Sequence, residues 1–200
     1  REFVALYKNQ LPFITARELP RGHVDKAIFV DERPESVELA TAMGPGWGCI
    51  MSSFNPSGSP MAYMKSLGKV GITVELGGRS ATSPEAFARV GRELADSILN
   101  ILRHYEMYPG AAAYPSPRYR GQQEALLAPA SGIFLPEPGV QFLTMMKAGE
   151  PIARIVNVFG DTLARLEAPA DGMFFGLRAL PNVQTGDWCC FFCKVEGTRD

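Results

Sequence analysis

Apolar positions recur at helical spacing over residues 84–105, where Phe87, Val90, Leu94, Ile98, Ile101 and Tyr105 fall three or four apart and line one face. Thr82-Ser83-Pro84-Glu85 opens that helix with a capping residue, a proline and an acid in the first turn. A second helix is predicted over 34–43, with Val37, Leu39, Ala40 and Met43 as its apolar set and Gly44-Pro45-Gly46 as its stop. A short third helix over 61–67 ends at Gly68, after a polar loop over 54–60 rich in Pro, Ser and Gly. Residues 47–52 form a short strand candidate. The run Val70-Gly71-Ile72-Thr73-Val74-Glu75-Leu76-Gly77-Gly78 is nearly continuous in apolar and β-branched residues, as in a strand buried on both faces, and then turns through two glycines. Helix and strand signals therefore alternate as far as residue 108, which is an α/β pattern.

The pattern then changes. Pro109-Gly110, three alanines, Tyr114-Pro115-Ser116-Pro117 and Arg118-Tyr119-Arg120 read as a linker, since Pro and Gly punctuate regular structure. Beyond it the chain reads as all-β and repeats itself. Ala128-Pro129-Ala130-Ser131-Gly132-Ile133-Phe134 returns as Ala168-Pro169-Ala170-Asp171-Gly172-Met173-Phe174. Each copy precedes a further turn, Lys147-Ala148-Gly149-Glu150-Pro151 in the first half and Gln184-Thr185-Gly186-Asp187 in the second. Two similar β units imply a pseudo-symmetric sandwich. The expected division is an α/β portion over 1–108, a Pro-rich linker over 109–122 and a β-sandwich domain over 123–200.

Composition bounds the function classes. The 200 residues are 46% hydrophobic and 20% charged with a net charge of -1, room for one or two cored domains. No basic stripe or long like-charge run suits nucleic acid or an anionic membrane, and no apolar run approaches the roughly 20 residues of a membrane span. The start, Arg1-Glu2-Phe3-Val4, lacks signal-peptide form and an initiator Met, so a cytoplasmic protein whose sequence continues upstream is expected. Cys190 and Cys193 have the spacing of a zinc knuckle or redox pair. Residues three apart on a strand point to opposite faces, however, so apolar packing of reduced thiols is the expectation for Cys49, Cys189, Cys190 and Cys193.

One residue asks for chemistry. An ionised side chain inside an apolar strand costs several kcal/mol unless compensated, and Glu75 stands in such a run. The pattern puts it at the carboxyl end of a central strand, where clefts of open α/β sheets carry catalytic groups. A structural Glu paired with Lys65, Lys69 or Arg79 is the alternative, and the local pattern leaves both open. His23, in a polar loop, reads as a surface histidine. His104 reads as a partner of the dipole at the end of the long helix.

The echoed β portion resembles the halves of a biotinyl or lipoyl carrier, the barrel-sandwich hybrid. The hairpin that would carry the modified lysine, Val156-Asn157-Val158-Phe159-Gly160-Asp161-Thr162-Leu163, has none, and Met145-Met146-Lys147 precedes a turn in the first half instead. Thr73-Val74-Glu75-Leu76-Gly77-Gly78, the Pro-rich linker, Gly132-Ile133-Phe134, Ala148-Gly149-Glu150-Pro151-Ile152-Ala153 and Ala168-Pro169-Ala170-Asp171-Gly172, in that order, resemble the C-terminal part of the succinylglutamate desuccinylase/aspartoacylase family. These are zinc carboxypeptidase-like deacylases, and the resemblance runs from about Leu11 to Val195. It implies a mixed sheet with flanking helices followed by a small all-β domain like the barrel-sandwich hybrid. It also implies hydrolysis of a small N-acyl amino acid, with Zn2+ activating water and Glu75, in the Glu-Leu-Gly-Gly position, moving the proton. Arg79 and Lys65 are the candidate contacts for the substrate carboxylate, and Asn55 and Ser59 could line the same cleft. Neither His23 nor His104 begins the family's His-x-x-Glu pair, so the zinc ligands are expected upstream of Arg1. A non-catalytic fragment or binding module, in which the α/β piece carries the β domain, is the competing reading. Self-association through the sandwich face is left open.

Overall fold

A computed structural model describes residues 22–24, 26–31, 33–52, 59–76, 83–116, 118–178 and 180–199. Strands β1 (Gly22–Val24) and β2 (Lys26–Val30) lead into helix α1 (Pro34–Thr41), followed by β3 (Cys49–Ser52), α2 (Pro60–Ser66), β4 (Thr73–Leu76) and α3 (Pro84–His104). The three helices among the described residues fall where the periodicity predicts. Each begins with Pro in its first turn, and Ser59 and Ser83 cap α2 and α3 by accepting the amide hydrogens of Ala62 and Ala86 at 3.1 and 3.2 Å. β2 is an apolar strand that the pattern did not single out.

The regular elements described after α3 are all strands: β5 (Arg118–Leu127), β6 (Gly132–Pro136), β7 (Thr144–Met146), β8 (Pro151–Val156), β9 (Thr162–Glu167), β10 (Gly172–Arg178), β11 (Asn182–Val183) and β12 (Trp188–Arg199). One mixed sheet runs β1-β10-β12-β5-β3-β2-β4, with β7 also on β10, and a second sheet runs β11-β6-β8-β9. Residues 118–122, expected within the linker, are the first half of β5. There β5 pairs in parallel with β3 on one side and antiparallel with β12 on the other, so the α/β and β portions share one sheet. Gly121 makes this crossing possible, because a Cβ on it would lie 2.0 Å from the Lys194 carbonyl oxygen.

Three cores result. On one face of the α/β strands Ile28, Val30, Ile50, Val74 and Leu76 meet α1 and α3. On the opposite face Ala27, Phe29, Cys49 and Met51 meet Met173, Phe175, Phe191 and Cys193 of the β portion. Between the two sheets lie Phe134, Ile152, Ile155, Leu166, Phe174, Cys189, Cys190 and Phe192. All four thiols are buried and free, and Cys190 and Cys193 occupy different cores, as strand alternation requires. The helical face of α3 is only partly covered. Ile101 is fully buried whereas Phe87, counted in the same stripe, is 66% exposed.

The segment after α3 is strapped to the helices. Asn100 Nδ2 donates to the Ala42 and Ala113 carbonyls at 2.9 and 2.7 Å while its Oδ1 accepts from Ala113 N at 2.8 Å. His104, at the C-terminal end of α3, holds the Tyr114 hydroxyl through Nδ1 and Glu38 Oε1 through Nε2, each at 2.9 Å.

The echo recurs in the structure as a reciprocal exchange of hydrogen-bond partners. Ala128 of the first copy bonds the turn of the second half, through Asp187 O and Gly186 N, and Ala168 of the second copy bonds the turn of the first half, through Glu150 O and Gly149 N. Phe134 and Phe174 are both buried in the intersheet core. Gly132 and Gly172 both lie under backbone, since a Cβ would come within 2.5 Å of Val156 O in one copy and 2.2 Å of Cys193 O in the other. Gly132→Ala and Gly172→Ala are each expected to lower unfolding free energy by about 1–3 kcal/mol, the usual cost of forced displacement in a packed core. Gly91→Ala, in open space on α3, is expected to raise it by about 0.5–1 kcal/mol, and urea unfolding of the three variants measures both effects.

Candidate functional site

Glu75 is 9% exposed on β4. Val74 and Leu76 enter the helix-side core, so alternation turns Glu75 to the other face. There it lies opposite Ala27, and the register continues across Cys49 on β3 and Tyr119 on β5. The carboxylate is thus on the face that the β portion covers.

Its strand differs from the expectation in two respects. β4 is the last of the described strands in its sheet rather than a central one, and it runs antiparallel to β2. The carboxyl end of β4 therefore adjoins the amino ends of β2 and β3, with Leu76 opposite Lys26. The crevice rule for parallel strands, which located Glu75 in the sequence, does not describe this site. A continuous apolar run carries no information on strand direction, which is why the pattern could not distinguish the two cases.

Helix α2 packs beside β4. Met61 is buried, and its Sδ receives the Thr73 hydroxyl at 3.9 Å. Lys65, on the same helix, is exposed. Ser59 spends its hydroxyl oxygen on the α2 cap. Arg79, Asn55, Gly77 and Gly78 lie outside the described residues. His23 lies on β1 opposite Leu177.

The zinc that the resemblance implies finds no fit among the described residues. They contain no group of three or more His, Cys, Asp or Glu side chains able to hold a metal ion. His104 has both ring nitrogens engaged. A zinc-bound cysteine is a thiolate, and here burial pushes the Cys189 thiol up to about 11 and raises Cys190 further. For Cys193 a hydrogen bond with the Cys49 thiol and then burial raise it.

A polar cluster at each end of β2 went unread in the sequence. At the carboxyl end of β2, Asp31 is buried and accepts from Arg33 Nε at 2.7 Å and from Arg33 N at 3.2 Å, while Arg33 Nη2 donates to Lys69 O at 2.7 Å. Burial works to raise the Asp31 carboxyl, but the polar groups of Ser36 and Arg33 outweigh it and hold it below the ordinary value. At the amino end, Lys26 Nζ contacts Glu93 Oε1 at 2.9 Å and stands 4.7 Å from the centre of the Trp47 ring, whose Nε1 donates to Ser97 Oγ at 2.8 Å. The signal for the first was an acid ending an apolar run with an arginine two residues on. Nothing local announces the second, whose members are far apart in sequence.

The fold has known counterparts. A succinylglutamate desuccinylase/aspartoacylase from Rhodobacter sphaeroides has TM-score 0.68 and 19% identity, over 88% of this chain and 56% of that one. A succinylglutamate desuccinylase from a Silicibacter species has TM-score 0.67 and 16% identity, over 88% and 55%. The product-bound ectoine utilization protein of Ruegeria pomeroyi has TM-score 0.66 and 16% identity, over 87% and 55%. No family model matches the sequence, and no curated protein matches it. The chain has the architecture of part of the succinylglutamate desuccinylase/aspartoacylase structures and spans just over half their length. Among the described residues no helix is long and apolar enough to cross a membrane.

The Asp31 clasp gives a pH prediction. A carboxyl depressed in the folded state contributes stability that is complete above its unfolded value, near the ordinary 3.8, and is lost as pH falls through the lower folded value. Asp31→Asn is therefore expected to flatten the fall of Tm in that acid window relative to wild type. Thermal melts between neutral and strongly acidic pH would show it, and parallel curves would refute it.

Proposed function

We propose that this chain is the C-terminal part of a zinc-dependent deacylase that hydrolyses the amide bond of a small N-acyl amino acid, with Glu75 as the group that moves the proton. The observation that carries the reading is a carboxylate 9% exposed on a face otherwise occupied by Ala27 and Cys49, within a fold that known desuccinylase and aspartoacylase structures share. A buried carboxylate suits proton transfer because its surroundings can bring its affinity close to that of the groups it serves. Glu75 accepts a proton from the attacking water and returns it to the nitrogen of the departing amine. Lys65 and Arg79 are the candidate partners of the substrate carboxylate. Zinc dependence belongs to this proposal on the strength of the resemblance alone, since no ligand set stands among the described residues. So does the reading of the β portion as a separate small domain of barrel-sandwich-hybrid type.

A second reading, a non-catalytic binding module, draws on the β8–β9 hairpin. Asn157 Oδ1 accepts the amides of Phe159 and Asp161, each at 2.9 Å, and this rigid turn holds Val158 and Phe159 out at 81% and 87% exposure. A fixed apolar tip in water is suited to meeting another surface.

Glu75→Gln preserves shape and removes the base. In the complete protein it is expected to reduce kcat for N-acyl amino acid hydrolysis by at least about 10²-fold, the lower end of the usual general-base contribution, with unchanged circular dichroism. Near wild-type turnover would reject the assignment. Metal analysis of the intact protein separates the readings: stoichiometric zinc supports the deacylase, and a metal-free, inactive product supports the module.

A further inference from the structure

The amino ends of β2 and β3 line a half-open cavity of about 130 Å³ that Leu143 and Met173 of the β portion also line. Trp47, Cys49 and Met173, all buried, and the half-buried Tyr119 line it. Gly46 and Leu143, both exposed, stand at its rim beside Lys26. A dry apolar cavity of about 150 Å³ is enough to take a benzene-sized guest, whereas whole drug-sized ligands need roughly 300–1,000 Å³. This cavity therefore suits a single short apolar group.

Two features mark it as more than a packing defect. Leu143 has φ +58°, a left-handed conformation uncommon for a leucine, and its amide is fixed to Phe174 O at 2.7 Å. Backbone strain held in place at the mouth of a cavity is a usual companion of binding sites. Lys26 is the second feature. Its ammonium has three donors, of which Glu93 takes one at 2.9 Å, and Glu93 is itself shared with Arg89 at 3.7 Å. Gly46 leaves the room for that ammonium, since a Cβ there would lie 2.9 Å from Nζ.

We propose that this cavity is a binding site for a short apolar carboxylate, with the tail against Cys49, Met173 and Leu143 and the carboxylate at Lys26. The position relative to Glu75 gives it a use. Glu75, Ala27, Cys49 and Tyr119 follow one another across adjacent strands on one face. At about 4.8 Å per strand, Cys49 is roughly 10 Å from Glu75. For the deacylase, whose reading this part of the inference rests on, the cavity selects an N-acyl amino acid with an apolar side group, and Lys26, on the helix side of β2, joins Lys65 and Arg79 as a candidate contact for its carboxylate. The binding itself does not depend on that reading.

The test uses protein labelled with [13C]methyl-methionine and titrated with sodium hexanoate or hexan-1-ol, the Met173 signal being assigned with Met173→Leu. Both probes are expected to shift the Met173 methyl selectively, hexanoate at about tenfold lower concentration. Leu143→Trp, a change at an exposed position that fills the mouth, should abolish the shift. Lys26→Met should bring hexanoate down to the affinity of hexan-1-ol and leave the alcohol unchanged. No selective Met173 shift with either probe, an undiminished shift in Leu143→Trp, or an unaltered preference for hexanoate in Lys26→Met would overturn the inference. If Glu75→Gln keeps full activity while hexanoate still shifts Met173, the reaction reading falls and the binding site stands. The opposite pair of results removes the site alone.

Discussion

The long antiparallel ladder between β5 and β12 is the constraint on which the rest of the structure depends. It runs from Arg118↔Arg199 to Leu127↔Trp188, and each stretch of it serves a different core. At its first end β5 offers its free edge to β3, which brings in β2 and β4. Further on, β12 offers its other edge to β10. The two irregularities in the β5–β12 register, at Trp188/Cys190 and Val195/Gly197, turn side chains between faces. Cys189 and Cys190 can thereby both enter the intersheet core, although adjacent residues on a regular strand would diverge. Gly121 fixes the crossing, and any larger residue would drive the two strands apart at the point where the portions join.

How much of this was legible follows from the kind of signal each part gives. α3 is readable because twenty-one residues of one period outweigh local exceptions. The β echo is readable because each copy needs Ala, Gly and Phe for the same reasons, a close backbone contact and a shared core. The exchange of turns between the halves is not, because it is a property of two segments meeting far apart in sequence. β5 was hidden for a different reason. Arg118, Arg120, Gln122, Gln123 and Glu124 give it the composition of a solvated linker, and its strand identity comes from the neighbours on both edges rather than from its own propensity. Lys26, Trp47 and Glu93 form a cluster that only the folded chain assembles.

Glu75 itself was legible as an anomaly and illegible as an address. The cost of a carboxylate in an apolar strand singles it out in any sheet. Its location depends on strand direction, however, and β4 runs against β2 and β3. The mixed sheet thereby brings the end of β4 to the same margin as Gly46, Trp47 and Gly48, where β2 and β3 begin.

At that margin the β portion meets the α/β strands. A sandwich merely carried by an α/β layer would need one dry interface to hold it, and the cluster of Phe29, Met51, Phe175 and Phe191 supplies this. Met173 belongs to the same cluster and, with Leu143, Trp47 and Cys49, also lines the cavity. Met173 lies on β10, which β12 ties to β5, and β5 in turn supplies Tyr119 to the same cavity. A displacement along the β5–β12 ladder would therefore change the cavity and the position of β3 together. The placement of the apolar walls and the row of residues leading to Glu75 are consequences of the same strand pairing.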